Sequence, residues 1–155
     1  MEKELVTKYM DLAIEEAKLA LKENEVPVGA ILLDENFNIV AKTHNLKEKN
    51  NDITAHAEIL ALKEASKKSS DYILENYTLF VTLEPCLMCL GALTQSHVKK
   101  IYCATKDDKL VGFEREWRND FYFNNKIDIK YGVFEEKSKE LLANFFDNYI
   151  RNKDL

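Results

Sequence analysis

Cysteine is scarce in this chain of 155 residues: there are three, Cys86, Cys89 and Cys103. An odd, small number behind a start of mixed charge, Met1-Glu2-Lys3-Glu4, argues against a secreted disulfide framework and predicts a cytoplasmic protein. Glycine (four) and proline (two) are also few, which excludes collagen-like and linker-rich designs. No apolar run approaches the roughly 18–20 residues that a membrane span needs, so no membrane association is expected. Basic charge is in deficit, 22 Lys and Arg against 27 Asp and Glu for a net charge of -5. That argues against a general nucleic-acid coat while leaving room for a local basic patch. What is present is an ordinary globular composition, 46% hydrophobic and 32% charged. Without repeats or linkers, residues 1–155 read as a single domain.

Apolar residues at helical spacing (Val6, Tyr9, Met10, Ala13, Ala17, Ala20) predict a helix over about 5–23 with one buried face. Ala30–Leu33 and Asn38–Lys42 flank the turn Asp34-Glu35-Asn36 and predict a hairpin. A helix is expected over about 55–67, and a buried strand at Thr78–Thr82. Pro85 is expected in the first turn of a helix that runs to about Gln95. Strands at Lys100–Ala104 and Ile127–Tyr131 and a C-terminal helix marked by Leu141, Leu142, Phe145, Phe146 and Tyr149 complete the pattern. Residues 107–125 mix aromatic and charged side chains and suit a loop with a short helix. Their aromatic residues are expected mostly in core or dimer packing. The alternation of strands and helices after the first hairpin predicts an α/β fold with a mixed sheet between helices. Lys99, Lys100, Lys106, Lys109, Arg115 and Arg118 are candidates for a local basic surface, interrupted by Asp107, Asp108, Glu114 and Glu116.

Two segments carry chemistry: Ala55-His56-Ala57-Glu58 and Glu84-Pro85-Cys86-Leu87-Met88-Cys89. Each alone says little. Together they form H-x-E…P-C-x-x-C, the signature by which zinc deaminases are recognised. Elementary chemistry supports the combination. Both segments lie at predicted helix N-termini, where free N–H groups and the helix dipole favour thiolate, the zinc-binding form. Cys86 and Cys89, three apart, fall on one helix face, and His56 supplies a third donor from another helix. Three protein donors leave a fourth position for water, the arrangement of catalytic rather than structural zinc. Glu58, just past His56, is then free to take a proton from water and pass it to a leaving amine. A closed structural site would need a fourth ligand from Cys103, His44 or His97. A thioredoxin-like redox pair would leave His56 and Glu58 without a role.

With these motifs in place the chain resembles the bacterial tRNA-specific adenosine deaminases of the cytidine deaminase-like superfamily, over nearly its whole length. The resemblance rests on Glu25-Val26-Pro27-Val28-Gly29-Ala30, on Asn45 eleven positions before His56, and on the segments 54–59 and 82–89. It extends through Gly91-Ala92, Phe123–Ile129 and the Leu141-Leu142/Phe145-Phe146 pattern. It implies a three-layer α/β/α sandwich with a mixed five-stranded sheet, a homodimer, and one catalytic zinc per chain. It also implies hydrolysis of adenosine to inosine at the wobble position of a tRNA anticodon loop. His56, Cys86 and Cys89 carry over as ligands and Glu58 as proton shuttle. Val28, Asn45, Ala57, Glu84, Asn124 and Phe146 carry over as substrate contacts, Ala57 through its N–H and Glu84 through its main-chain carbonyl facing the leaving ammonia.

Three stretches depart from the family pattern. Asp52-Ile53 stands where Asp-Pro is usual, and Cys103–Lys109 stands where the family favours G-A-R-D-x-K-x-G, without its Arg. The C-terminal helix has Asp147 directly after Phe146, before Arg151 and Lys153, where the family often carries a basic cluster. A deaminase of a free nucleobase or nucleoside such as guanine or cytosine shares the same zinc motif and is the competing enzyme reading. A zinc-stabilised binding module without activity is the competing non-enzyme reading.

Overall fold

The computed structural model describes residues 1–153, with side chains up to Tyr149. Helix α1 spans Lys3–Lys22 and buries Val6, Tyr9, Met10, Ala13, Ala17 and Ala20, the stripe seen in the sequence. It stops at Glu23 because Asn24 takes a left-handed backbone (φ 60°), a conformation asparagine tolerates. Strands β1 (Gly29–Leu33) and β2 (Ile39–His44) form the hairpin. Its turn is held by the Asp34 carboxylate, which accepts the N–H groups of Asn36 and Asn38, both at 2.9 Å. Then follow α2 (Ala57–Ser69), β3 (Thr78–Leu83), α3 (Leu87–Gln95), β4 (Lys100–Thr105), α4 (Phe113–Asn124), β5 (Asp128–Tyr131) and α5 (Glu135–Lys153).

The five strands form one sheet in the order β2-β1-β3-β4-β5. β1 is antiparallel to both β2 and β3, whereas β3, β4 and β5 are parallel. Side chains alternate across the sheet with the strand period of two. Ala30, Leu32, Leu79, Val81, Ile101 and Cys103 face α2 and α3, and Ile31, Leu33, Phe80 and Ala104 face α1. α5 packs beside α1 against β3 and β4. The mixed sheet thus lies between two helical layers, the α/β/α sandwich that the resemblance implies. Among the described residues no helix is long and apolar enough to cross a membrane.

Two local expectations are corrected. The segment 107–125 holds the expected loop and helix, but the helix, α4, is twelve residues long and fills most of it. Its buried face consists of Arg118 and Tyr122, so no aliphatic stripe marks its length. Its aromatic residues are not mainly in this chain's core either, since Phe113 and Phe123 are 80% and 85% exposed. Pro85 does not stand in the first turn of α3. It precedes the N-cap, Cys86, and its carbonyl accepts a hydrogen bond from Arg118.

The candidate metal centre and its cavity

Two helix N-termini converge beside the ends of strands β2, β3 and β4 and the start of β1. Asp52 shapes the approach to α2: its carboxylate accepts the N–H (2.9 Å) and hydroxyl (2.7 Å) of Thr54. This Asx turn holds without a proline, and Ile53, at the place of the family's proline, is 71% exposed. His56 is the N-cap of α2 and Cys86 the N-cap of α3, both with extended backbone. Neither side chain caps its own helix, so both are free to face a ligand. Thr43 fixes the start of α2 by donating to the carbonyl of Ala57 at 2.7 Å.

The Sγ atoms of Cys86 and Cys89 lie 3.5 and 3.6 Å from Nδ1 of His56. All three donor atoms are within 4.8 Å of one another. A tetrahedral zinc with Zn–S of about 2.3 Å and Zn–N of about 2.0–2.1 Å sets sulfur and nitrogen ligands roughly 3.6 Å apart. The observed spacings match that edge, and two soft thiolates with one imidazole suit zinc. The three candidates for a fourth ligand are engaged elsewhere. Cys103 is buried and donates to Thr105 O (3.1 Å), His44 sits between Glu16 (3.0 Å) and Glu23 (3.3 Å), and His97 pairs with Glu75 (3.3 Å). Among the described residues the cluster therefore has three protein donors, and the fourth tetrahedral position is open to water or substrate.

The electrostatics favour the thiolate at one of the two cysteines before any metal binds. Hydrogen bonding from Cys89, with help from His56, lowers the Cys86 thiol to about 5, whereas its bond to Cys86 and burial push Cys89 up. Glu58 is 4% exposed, and burial raises its carboxyl to about 7, with the Cys86 charge adding to the rise. A group poised at that value can both take and give a proton at neutral pH.

A cavity of about 230 Å³ opens in front of the cluster. His56, Ala57, Glu58 and Cys86 form its floor, with Val28, Asn45 and Glu84 on its walls. Cys89 lies behind them, fully buried. Asn45 is held in place: its Oδ1 accepts Lys47 N–H (3.1 Å) and its Nδ2 donates to Val26 O (3.4 Å). Asn124 and Phe146 do not line this cavity. Asn124 is exposed at the end of α4, and Phe146 faces Lys109, whose Nζ stands 5.1 Å from the ring centre. Phe145, one residue earlier, lines a second cavity of about 430 Å³ that shares Val26, Asn45 and Lys47 with the first.

Sequence reasoning missed Lys47, Asp107 and Glu25. Lys47 and Asp107 line the cavity from loops, where no periodicity marks them. Glu25 is 1% exposed and accepts the N–H groups of Glu48 (2.9 Å) and Lys49 (2.8 Å), which pins the loop carrying Asn45 and Lys47. The expected basic surface is smaller than the sequence suggests. Arg118 is buried on Pro85, and Arg115 forms a two-pronged bond to Glu84 at 2.8 and 2.7 Å. The Glu84 carboxylate also accepts Tyr122 OH (2.6 Å), Tyr131 OH (3.1 Å) and Asp107 N–H (3.0 Å). Burial opposes its ionisation, yet Arg115, Tyr122 and the Asp107 N–H together hold it down at about 2. The side chains of Arg151 and Lys153 lie outside the described residues.

Comparison with known proteins agrees with this geometry. Residues 3–105 match the cytidine and deoxycytidylate deaminase zinc-binding region. The tRNA-specific adenosine deaminase of Bacillus subtilis is 40% identical over 151 residues, covering 94% of this chain and 91% of that protein. The enzyme of the same name from Haemophilus influenzae is 37% identical over 150 residues, covering 96% and 87%. A structure solved in work on A-to-I editing by tRNA:A34 deaminases at the wobble position superposes with a TM-score of 0.77 at 33% identity, covering 88% of this chain and 99% of that one. The fold is therefore cytidine deaminase-like, and the chain belongs to the tRNA-specific adenosine deaminases, with the zinc-binding region of the cytidine and deoxycytidylate deaminases.

Proposed function

We propose that this chain is a zinc-dependent hydrolase that converts adenosine to inosine at the wobble position of a tRNA anticodon loop. The observation that carries the reading is a buried carboxylate, Glu58, beside a three-donor cluster at the floor of a small cavity. At about 230 Å³ the cavity is smaller than the roughly 300–1,000 Å³ sites that take drug-sized ligands, which suits one base. His56, Cys86 and Cys89 would hold one zinc ion per chain. When bound, zinc supplies Lewis acidity that makes water a nucleophile near neutral pH.

The chain's own residues then do the rest. Glu58 takes a proton from the water that adds to C6 of adenine and passes it to N1. The second proton, on the new C6 hydroxyl, goes to the departing amine through the same carboxylate, so water enters and ammonia leaves. Asn45 hydrogen-bonds the base, Val28 packs on it, and the Ala57 N–H orients it. The side chain of Glu84 has no exposed surface, so this residue meets the cavity with its main chain, as a carbonyl facing the leaving ammonia requires. Asn124 and Phe146 contact the flipped nucleotide from farther out. An anticodon loop offers its target unpaired, which makes extrusion into such a cavity inexpensive.

The whole chain, 1–155, acts as one deaminase domain in the cytoplasm, where tRNA is processed. It works as a homodimer through the outer face of α2 and α3, where Ile59, Leu62, Tyr72 and Ala92 line a shallow apolar groove. The test is a reaction of zinc-loaded protein with an anticodon stem-loop carrying adenosine at the wobble position, read by mass spectrometry of the digested nucleosides. Wild type yields inosine there, and Glu58→Ala retains zinc and yields none. Turnover of free guanine or cytosine with no inosine in the RNA would replace this reading by that of a free-base deaminase.

A further inference from the structure

The turn that leads into the second zinc motif is gripped from outside by α4. Arg115, Arg118 and Tyr122, at i, i+3 and i+7, share one helix face. Arg115 and Tyr122 end on the Glu84 carboxylate and Arg118 on the Pro85 carbonyl. Arg115 does more than pair with Glu84. Its Nη2 also donates to Asp107 O at 3.3 Å, and the N–H of Asp107 donates to the same Glu84 oxygen that Nη2 holds. Glu84 and Asp107 both line the base cavity, side by side. One guanidinium therefore ties these two neighbouring segments of its lining together.

Two observations separate this role from plain support of the fold. Arg115 sits in the first turn of α4, where a cation opposes the helix dipole. The helix does not gain from it there; the Glu84–Asp107 contact does. The anchoring of α4 in the apolar core is supplied by Tyr122, which belongs to the core cluster, and by Phe121, which packs against it. The Arg115 side chain is 18% exposed, while that of Glu84 is sealed.

We propose that Arg115 is a positioning residue for the deamination, acting through Glu84 and Asp107 to fix the wall that faces the departing amine and the segment of the rim that adjoins it. The proposal rests on the deaminase reading above. Only a planar fork spans both carboxylate oxygens and the Asp107 carbonyl, so lysine is an incomplete substitute.

The test compares wild type, Arg115→Lys, Arg115→Met and, as a control, Tyr131→Phe, which removes a donor from the same carboxylate without touching Asp107. Each zinc-loaded full-length protein is assayed for zinc content, thermal midpoint, and kcat and KM on the anticodon stem-loop. A misplacement near 1 Å at a reacting centre costs about a hundredfold in rate. Arg115→Met is expected to lose on that order in kcat and Arg115→Lys on the order of tenfold. KM stays within about threefold, Tyr131→Phe loses less than Arg115→Lys, and zinc remains at one per chain. Full kcat in both Arg115 variants overturns the proposal. So does a rate that falls in step with zinc loss, or a rise in KM alone. If wild type makes no inosine but deaminates a free base, the tRNA reading fails, and the same kcat ratios on that base decide the role of Arg115.

Discussion

Gly29 opens β1 directly beneath α1, and its hydrogen atom points at helix backbone. A Cβ built there lies 2.0 Å from Ala13 O, 2.6 Å from Ala17 N and 2.9 Å from Glu16 Cβ. Gly29 does not have a positive φ, so close approach, not conformational freedom, demands glycine. In Gly29→Ala the first two obstacles are main-chain atoms, which no rotamer change removes. Helix α1 must retreat by more than about 1 Å to reach ordinary contact distance, and a gap of 0.5–1 Å forfeits roughly a quarter to a half of each dispersion contact. The contacts at stake include Met10 and Ala13 against Ile31 and Phe80. Overpacking usually costs about 1–3 kcal/mol. With backbone as the obstacle we expect about 3 kcal/mol or more, a fall in Tm of roughly 6–12 °C for a chain of this size. Urea unfolding followed by far-UV circular dichroism, at matched zinc content, gives the number. Turnover should fall as well, because Val28 on the cavity wall adjoins the displaced residue. A change below about 0.5 kcal/mol, the range of an ordinary surface substitution, would refute the seating of α1 on this glycine.

A glycine inside a helix gives the opposite sign. Gly91, inside α3, has no atom within 4 Å of an added Cβ, so Gly91→Ala should stabilise by about 0.5–1 kcal/mol. A loss accompanied by weaker self-association in sedimentation would instead show a second copy pressed against α3. Glu25→Ala should cost about 1.5–3 kcal/mol through two lost bonds to a charged group. Amide hydrogen exchange at Glu48 and Lys49 should rise while α2 stays protected, and unchanged exchange would show that Glu25 does not hold the loop. The depressed Glu84 carboxyl makes part of the stability acid-labile. Its folded value of about 2 lies below the unfolded 4.5, so its contribution is complete above about 4.5 and fades as pH falls towards 2. The stability gap between wild type and Glu84→Gln should be on the order of 3 kcal/mol at pH 7 and shrink by more than half at pH 3. A gap constant with pH would remove the ionised carboxylate as its source.

What the sequence made legible is what it encodes at short range. His56, Glu58, Cys86 and Cys89 stand at helix starts and at i+2 and i+3 spacings, so the cluster could be assembled from two short segments, 54–59 and 82–89. The stripe on α1 and the hairpin turn at Asp34 were equally local. The length of α4 was hidden for a physical reason: its inward face is Arg115, Arg118 and Tyr122, which reads as surface until Glu84 is seen beneath it. The choice between Phe145 and Phe146 was hidden for another. Both are large and apolar, and only the seating of α5 decides that the first lines the second cavity and the other faces Lys109. Glu25 and Lys47 act across more than twenty residues or from irregular backbone, where a linear pattern carries no signal.

The donor set itself explains why one buried carboxylate has so much to do. Two thiolates cancel the charge of a divalent ion, so a His-Cys-Cys site is a weaker Lewis acid than a site built from neutral imidazoles. On the proposed reading, proton movement then falls more heavily on Glu58, whose carboxyl is raised chiefly by burial. That burial is provided by the fully buried Ala57 and Cys89 and the packed start of α2, all within the two motif segments. The departures from the family pattern lie elsewhere: at the exposed Ile53, in Cys103–Lys109, and at Asp147 on α5. None stands in the two motif segments, and two of the segments they touch meet at the rim, where Asp107 lines the cavity and Lys109 faces Phe146. On the proposed reading, variation in this chain therefore bears on which nucleotide is admitted more than on the reaction it undergoes.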